Sequence, residues 1–359
     1  MPSKTSTTLP RVLVLYTGGT IGMELKVEKG NRKNPLLAVS PLSPASLKKR
    51  LQNQIPELQN LAQCDFDILF NRDSAHIGPD EWLLIAKKIQ DHWKHYDGIV
   101  LLHGTDTLAY TASALSFLLR PCLKPIVITG AQRPLSVLRT DARTNLISAV
   151  EIAAHGPRKI VGQVTVFFGD KLFQGNRVRK KSASDFAAFE SPLFPPLAVV
   201  GTTIRYSETY QLPNQKFPRL KPSFSHQVLV VHVTPAFAAR ILQLDGLDHL
   251  HALILVIFHS GTAPTHHSDF LKLLRSAQQK QIPVILVTEG STQPPNSESF
   301  QLNYAAGREL LKEGCLWGGS MTLESVYVKA SLLLAQSRHL KKFTALWLKN
   351  LAGEGAPTF

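Results

Sequence analysis

The side chain with the clearest chemical potential in this 359-residue chain is Thr20, set near the end of RVLVLYTGGTIGM, residues 11–23. A threonine alcohol is a weak nucleophile until a neighbour removes its proton, so a reactive Thr20 requires a base from elsewhere in the chain. Short polar groups recur in comparable strings: Asp73 and Ser74 within NRDSAHIGPDEW, Thr105 and Asp106 within HGTDT, and the run TGAQRP at 129–134. Lys180 stands in the polar stretch GDKLFQGNRVRKKSASDFAAF. Taken singly, each has a plainer use. Gly18 and Gly19 make a tight turn, Thr105 and Asp106 cap a helix, Ser74 is a loop hydroxyl and Lys180 belongs to a basic surface run. Other chemistries lack their residues. A dinucleotide fingerprint needs glycine where Thr17 stands, and HExxH, GxSxG and a P-loop do not occur in the sequence.

The elements that must carry these groups alternate in type. Val12, Leu13, Val14 and Leu15 form a continuous apolar run, as expected of a strand buried on both faces of a parallel sheet, and such strands deliver their C-terminal ends to a crevice. Further strands are expected at 66–70, 98–102, 125–129 and 161–168, so Thr20, Ser74, Thr105 and the TGAQRP run all follow strand ends. The residues between Glu24 and Asn34 are polar and aperiodic, as in a mobile loop. Weak helical spacing runs from Ser46 to Leu61. Pro79, Asp80 and Glu81 followed by the stripe Trp82, Ile85, Ala86, Ile89 and Trp93 predict a helix over 79–94, with another over 108–119 and a third opening near Asp141 and Asn145.

Prolines accumulate between Ser191 and Ser225, which marks a linker at 207–225 between an N-terminal domain, 1–206, and a C-terminal domain, 226–359. In the second half, strands at 227–233, 252–259 and 283–288 alternate with helical spacing near 235–244, 267–280, 303–313 and 322–336. The expected fold is α/β in two domains: a larger N-terminal parallel-rich sheet with flanking helices, and a smaller C-terminal parallel α/β domain.

Composition narrows the function classes. No apolar run approaches a membrane span, and the opening MPSKTSTTLP lacks the apolar core of a signal peptide, so no membrane association and a cytoplasmic location are expected. Cys64, Cys122 and Cys315 are scattered without metal spacing, so no metal is expected. The 40 basic against 26 acidic residues give a net charge of +14. The excess is spread as short doublets without interleaved aromatics, which favours solvated faces over a nucleic-acid partner.

Taken together, TGGTIGM, DS at 73–74, HGTDT and TGAQRP resemble the asparaginase and glutaminase family, specifically the cytoplasmic type I L-asparaginases. The strings LLHGTDTLAYTASALSF, GNRVRK, DFAAFESP and GGSMTLESVYVK (318–329) extend the resemblance into both halves. It implies hydrolysis of the side-chain amide of L-asparagine to L-aspartate and ammonia, through an acyl-threonine intermediate and without a cofactor. The nucleophile falls on Thr20, and the second catalytic cluster on Thr105, Asp106 and Lys180. Substrate-binding positions fall on Asp73, Ser74, Ala75, Thr105, Asp106 and Ala131, with Ser74 receiving the substrate carboxylate and the backbone at Ala131 meeting the leaving amide. The resemblance also implies a homodimer or homotetramer.

The sequence departs from that pattern in three places. Relatives place a tyrosine in the loop after the nucleophile, whereas no tyrosine occurs between Tyr16 and Tyr96; Tyr304 in LNYAAG is the candidate to supply the phenol. A TQC-like string tied to an effector site is replaced by Thr288, Glu289 and Gly290, and Thr262 lies in FHSGTAP where relatives carry a tyrosine and an asparagine. Two alternatives use the same residues: the amidase subunit of a tRNA-dependent amidotransferase, or a catalytically weak member acting as a binding protein.

Overall fold

The computed structural model describes residues 8–26, 36–38, 43–120, 122, 124–208, 220–237, 247–288 and 305–355. The chain divides into two compact units, Met1–Ser191 with Pro196–Asn214, and Pro192–Pro195 with Gln215–Phe359. The expected linker at 207–225 includes 209–219, which lie outside the described residues.

The strands of the first unit are β1 (Arg11–Gly18), β2 (Glu24–Lys26), β3 (Leu36–Ala38), β4 (Gln63–Arg72), β5 (Gly98–Leu102), β6 (Ile126–Thr129), β7 (Val164–Phe168), β8 (Lys171–Gln174), β9 (Arg179–Lys180), β10 (Phe189–Glu190), β11 (Ala198–Val200) and β12 (Ile204–Tyr206). Eight of them form one sheet in the order β12-β11-β8-β7-β6-β5-β1-β4. From β4 to β7 every pairing is parallel. Strand β1 sits between β4 and β5, and Val12 to Gly18 are all buried, as the unbroken apolar run requires. Each buried valine or leucine there contributes about 1.5–3 kcal/mol of transfer free energy.

The parallel order stops at β7, and β8, β11 and β12 run antiparallel. Only Gly169 and Asp170 separate β7 from β8, too little chain for a parallel crossover, and Gly169 turns it with φ 67°. Strand β8 falls inside what reads in sequence as a polar stretch, because four residues are too few to show a period. Strands β2 and β3 pair antiparallel, so the expected polar loop begins with a short strand; 27–35 lie outside the described residues.

The weak helical spacing over 46–61 resolves into two helices, α1 (Pro44–Gln54) and α2 (Leu58–Leu61). The break falls at Pro56, which has no N–H to donate into a continuing helix. Helix α3 (Pro79–His92) buries Trp82, Ile85, Ala86 and Ile89 and gives way to a 3-10 turn at Trp93–His95. Glu81 accepts from Gly78 N at 3.0 Å, closing the first turn. Helices α4 (Leu108–Leu118), α5 (Ala142–His155) and α6 (Arg158–Val161) complete the unit. Strand β7 starts at Val164 rather than 161 because α6 extends to Val161.

The second unit carries β13 (Val228–His232), β14 (Ala252–Ile257), β15 (Val284–Thr288) and β16 (Leu316–Trp317), paired in that order and parallel throughout. Its helices are α7 (Ser268–Gln279), α8 (Ala305–Lys312), α9 (Leu323–Gln336) and α10 (Leu340–Trp347). The helical spacing expected over 235–244 falls largely on 238–246, outside the described residues. Thr322 caps α9 by accepting from Ser325 N at 3.3 Å. Lys329 of α9 is fully buried and pairs with the equally buried Glu354 at 2.8 Å, while its Nζ also donates to Lys349 O at 2.8 Å. Glu354 in turn accepts from the backbone N–H groups of Leu351 and Ala352, which closes the chain end over the helix.

Candidate active site

In the first unit, each expected site loop leaves a β-strand at its C-terminal end. Strand β1 ends in a 3-10 turn, Thr20–Gly22, that Met23 N closes onto Thr20 O at 3.0 Å, leaving Thr20 half-buried. Gly19 permits this turn twice over. Its φ is 92°, and a Cβ placed on it would lie 2.5 Å from Gly104 N, so any side chain would force the Thr20 turn away from HGTDT. Gly104 repeats the device, because a Cβ there would meet Ser74 Cβ at 2.7 Å. Three loops therefore come into close contact through residues without side chains.

Ser74 opens a 3-10 turn after β4 and is buried, with its carbonyl accepting from Thr107 Oγ1 at 2.6 Å. Asp73 caps that turn, its carboxylate accepting from Ala75 N at 2.9 Å, and Ala75 itself is exposed. Asp73 thus holds the loop that presents Ser74. After β5, Thr105 is buried and the Asp106 side chain is 69% exposed. Lys180, in β9, donates to Thr105 Oγ1 at 2.8 Å and to Asp106 Oδ1 at 2.7 Å. With Asp106 so open to water, that ion pair sets geometry more than stability. Tyr304 lies outside the described residues.

Two residues that the sequence reading placed only at a helix start hold the TGAQRP loop. Asp141, at the start of α5, accepts from Gln132 N at 2.9 Å and from Arg133 N at 3.0 Å. Asn145 donates to Gly130 O at 3.0 Å and accepts from Gly169 N at 3.1 Å. The TGAQRP loop is thereby pinned on both sides of Ala131, which is buried and makes no hydrogen bond to the described residues. The available signal was the i, i+4 spacing of Asp141 and Asn145 on the helix that follows the loop.

A second hidden layer lies under HGTDT. His103 is wholly buried, with Nδ1 2.7 Å from Gly104 O and Nε2 2.9 Å from Thr111 Oγ1, and Thr111 accepts from Trp82 Nε1 at 3.1 Å. The carbonyl at Nδ1 assigns the proton to that nitrogen, so Nε2 accepts from Thr111. Burial lowers the imidazole pKa to about 4, the Gly104 contact opposing it, and the ring is neutral in its network. Tyr16 lies beneath the Thr20 turn, its hydroxyl 3.4 Å from Gly19 O and 3.2 Å from Asn71 Oδ1. Burial raises its pKa to about 12 against the field of Arg50, so the phenol stays protonated.

Comparison with known proteins places this geometry. Residues 11–212 match the model of the asparaginase N-terminal domain, and residues 227–346 match that of the glutaminase/asparaginase C-terminal domain. The chain belongs to the asparaginase family. Within the family it is 35% identical to L-asparaginase 1 of Escherichia coli K12, over 96% of this chain and 98% of that protein. The solved structure of L-asparaginase I from Vibrio cholerae superposes with a TM-score of 0.79 at 32% identity, covering 97% of this chain and 99% of the other. A glutamyl-tRNA(Gln) amidotransferase protein of Aeropyrum pernix is 32% identical over 96% of this chain and 79% of its own length. Both expectations of fold hold: the first unit is a parallel-rich sheet with flanking helices, and the second a smaller parallel α/β layer. Among the described residues, no helix is long and apolar enough to cross a membrane, and no three His, Cys, Asp or Glu side chains gather as metal ligands.

Proposed function

We propose that this protein is an L-asparaginase that uses Thr20 as its nucleophile. The Thr20 hydroxyl attacks the side-chain amide carbon, its proton is passed on, and the C–N bond breaks to release ammonia and leave an acyl-threonine ester. Water then cleaves the ester to L-aspartate and restores the hydroxyl. Asp106 supplies a fixed anion for the substrate ammonium, Ser74 a donor for its carboxylate, and the Ala131 peptide a partner for the amide. Lys180, held between Thr105 and Asp106, is the group that holds or relays the proton. Backbone N–H groups in the Gly18–Thr20 turn or at Thr105 stabilise the tetrahedral oxyanion. Tyr304 remains the proposed source of the phenol.

The observation that carries this reading is the pair of hydrogen bonds from Lys180 Nζ, 2.8 Å to Thr105 and 2.7 Å to Asp106, on a loop in backbone contact with the Thr20 turn. The proposal extends to a cytoplasmic homodimer or homotetramer with a linker near 207–225. Ammonia release from L-asparagine, L-glutamine and D-asparagine tests it, with Thr20→Ala as the blank. Release from L-asparagine that disappears in Thr20→Ala is the expected outcome.

A second reading keeps the chemistry and changes the substrate. The amidotransferase relative supports an amide-donor reaction on glutamyl-tRNA. It predicts tRNA binding that weakens steeply with salt, and ammonia release from asparagine without tRNA argues against it. If no amide is hydrolysed with or without tRNA, the protein is a binding member of the family.

A further inference from the structure

Gln132 touches the proposed catalytic cluster at Thr105, and its amide can face only one way. The Nε2 end lies 3.4 Å from Ser182 O and 3.2 Å from Asp185 O, two carbonyls that can only accept. Nε2 must therefore be the donor, and Oε1 is turned to Thr105 Oγ1 at 3.3 Å. The Thr105 hydroxyl has a single hydrogen. With that hydrogen given to Gln132, its oxygen can only receive from Lys180, whose Nζ is 2.8 Å away.

The same amide grips the loop that follows Lys180. Residues 182–185 form the turn between β9 and β10, where Ser182 Oγ accepts from Asp185 N at 3.0 Å and Lys180 pairs with Phe189. Gln132 is itself anchored, since its N–H is held by the buried Asp141. One side chain thus ties the TGAQRP loop, the HGTDT turn and the hairpin bearing Lys180.

We propose that Gln132 is a positioning residue of the reaction: it fixes the hydroxyl hydrogen of Thr105 and the hairpin of Lys180, so that the lysine is held as the donor of the Lys180–Thr105 hydrogen bond. This rests on the asparaginase reading above and specifies how its proton-handling pair is set. Gln132 acts through Thr105 and the Lys180 hairpin, not on the amide that is cleaved. Its loss slows the chemical step while leaving Ser74 and Asp106, which hold the substrate, in place.

The test compares Gln132→Met, which keeps the length and loses both polar ends, with Gln132→Glu. Loss of the oriented hydrogen bonds in Q132M is expected to lower kcat about tenfold with KM changed less than about twofold. In Q132E the ionised carboxylate cannot donate to Ser182 O or Asp185 O. Once protonated it regains one donor and one acceptor. Its kcat relative to the unaltered enzyme therefore recovers as pH falls, and that of Q132M does not. A merely structural role gives losses that do not depend on pH in either variant.

Thermal melting and circular dichroism establish that each variant is folded; should Q132M not fold, the acid recovery of Q132E decides alone. A Q132M kcat within about twofold of the unaltered enzyme, or a pH-independent loss in Q132E, overturns the proposal. Absence of ammonia release from the unaltered protein overturns instead the asparaginase reading beneath it, and this inference with it.

Discussion

The neutral state of His103 makes acid stability a sharp test of how the HGTDT turn is built. In the folded protein Nδ1 serves Gly104 O and Nε2 accepts from Thr111, so a second proton has to displace an existing hydrogen bond in a site without water contact. Burial lowers the pKa from 6.5 to about 4. Between those values the unfolded chain binds a proton at this residue and the native chain does not. Stability therefore falls as pH drops through that window, and above about 6.5 the histidine adds no pH dependence. The gap of 6.5 − 4 = 2.5 pH units, at about 1.4 kcal/mol each, amounts to about 3–4 kcal/mol over the whole window and about 2 kcal/mol down to about pH 5. The perturbation is His103→Gln, which retains a donor and an acceptor and does not titrate. The assay is hydrogen exchange of the buried β5 amides, Ile99 to Leu102, corrected for intrinsic rates and converted to opening free energies between about pH 7 and about pH 5. The unaltered protein should lose about 2 kcal/mol more than the variant across that range. Parallel loss in the two proteins would refute a neutral, depressed His103, whatever their absolute stabilities.

Two further outcomes follow from contacts in each unit. Gly19→Ala should abolish turnover and lower the melting temperature, because its Cβ would meet Gly104 N at 2.5 Å and its φ of 92° disfavours alanine; steady-state kinetics and calorimetry check it, and an active Gly19→Ala enzyme would show that the Thr20 turn does not depend on this close approach. In the second unit, Lys329→Met leaves the fully buried Glu354 carboxylate unpaired and should destabilise by about 3–5 kcal/mol, with much of the loss restored in Lys329→Met/Glu354→Leu, as read by chemical denaturation.

What was legible in the sequence was whatever depends on local pattern. The apolar run before Thr20, the stripe of α3 and the alternation of strand and helix led to the class of fold, because buried parallel strands and amphipathic helices leave patterns that can be counted, and the resemblance of the strings around Thr20, Ser74, Thr105 and Lys180 led to the family. Short strands left none: β8, β11 and β12 have four residues or fewer, and the turn from β7 into antiparallel β8 follows from the length of the connection between them. The site was legible only in part. Thr105, Asp106 and Lys180 share a cluster although 74 residues separate Asp106 from Lys180, and sequence spacing alone cannot show the 2.7 Å contact that joins them. Gln132, Asp141 and Asn145 lay in view as ordinary polar residues, and their work became visible only when folding brought loops from β5, β6 and β9 together. The sequence by itself determined which side chains were available and which strand ends would carry them, since those are matters of local covalent order. Tertiary structure decided which hydroxyl donates, which carboxylate caps and which imidazole stays neutral, because hydrogen-bond direction and desolvation depend on neighbours distant in the chain.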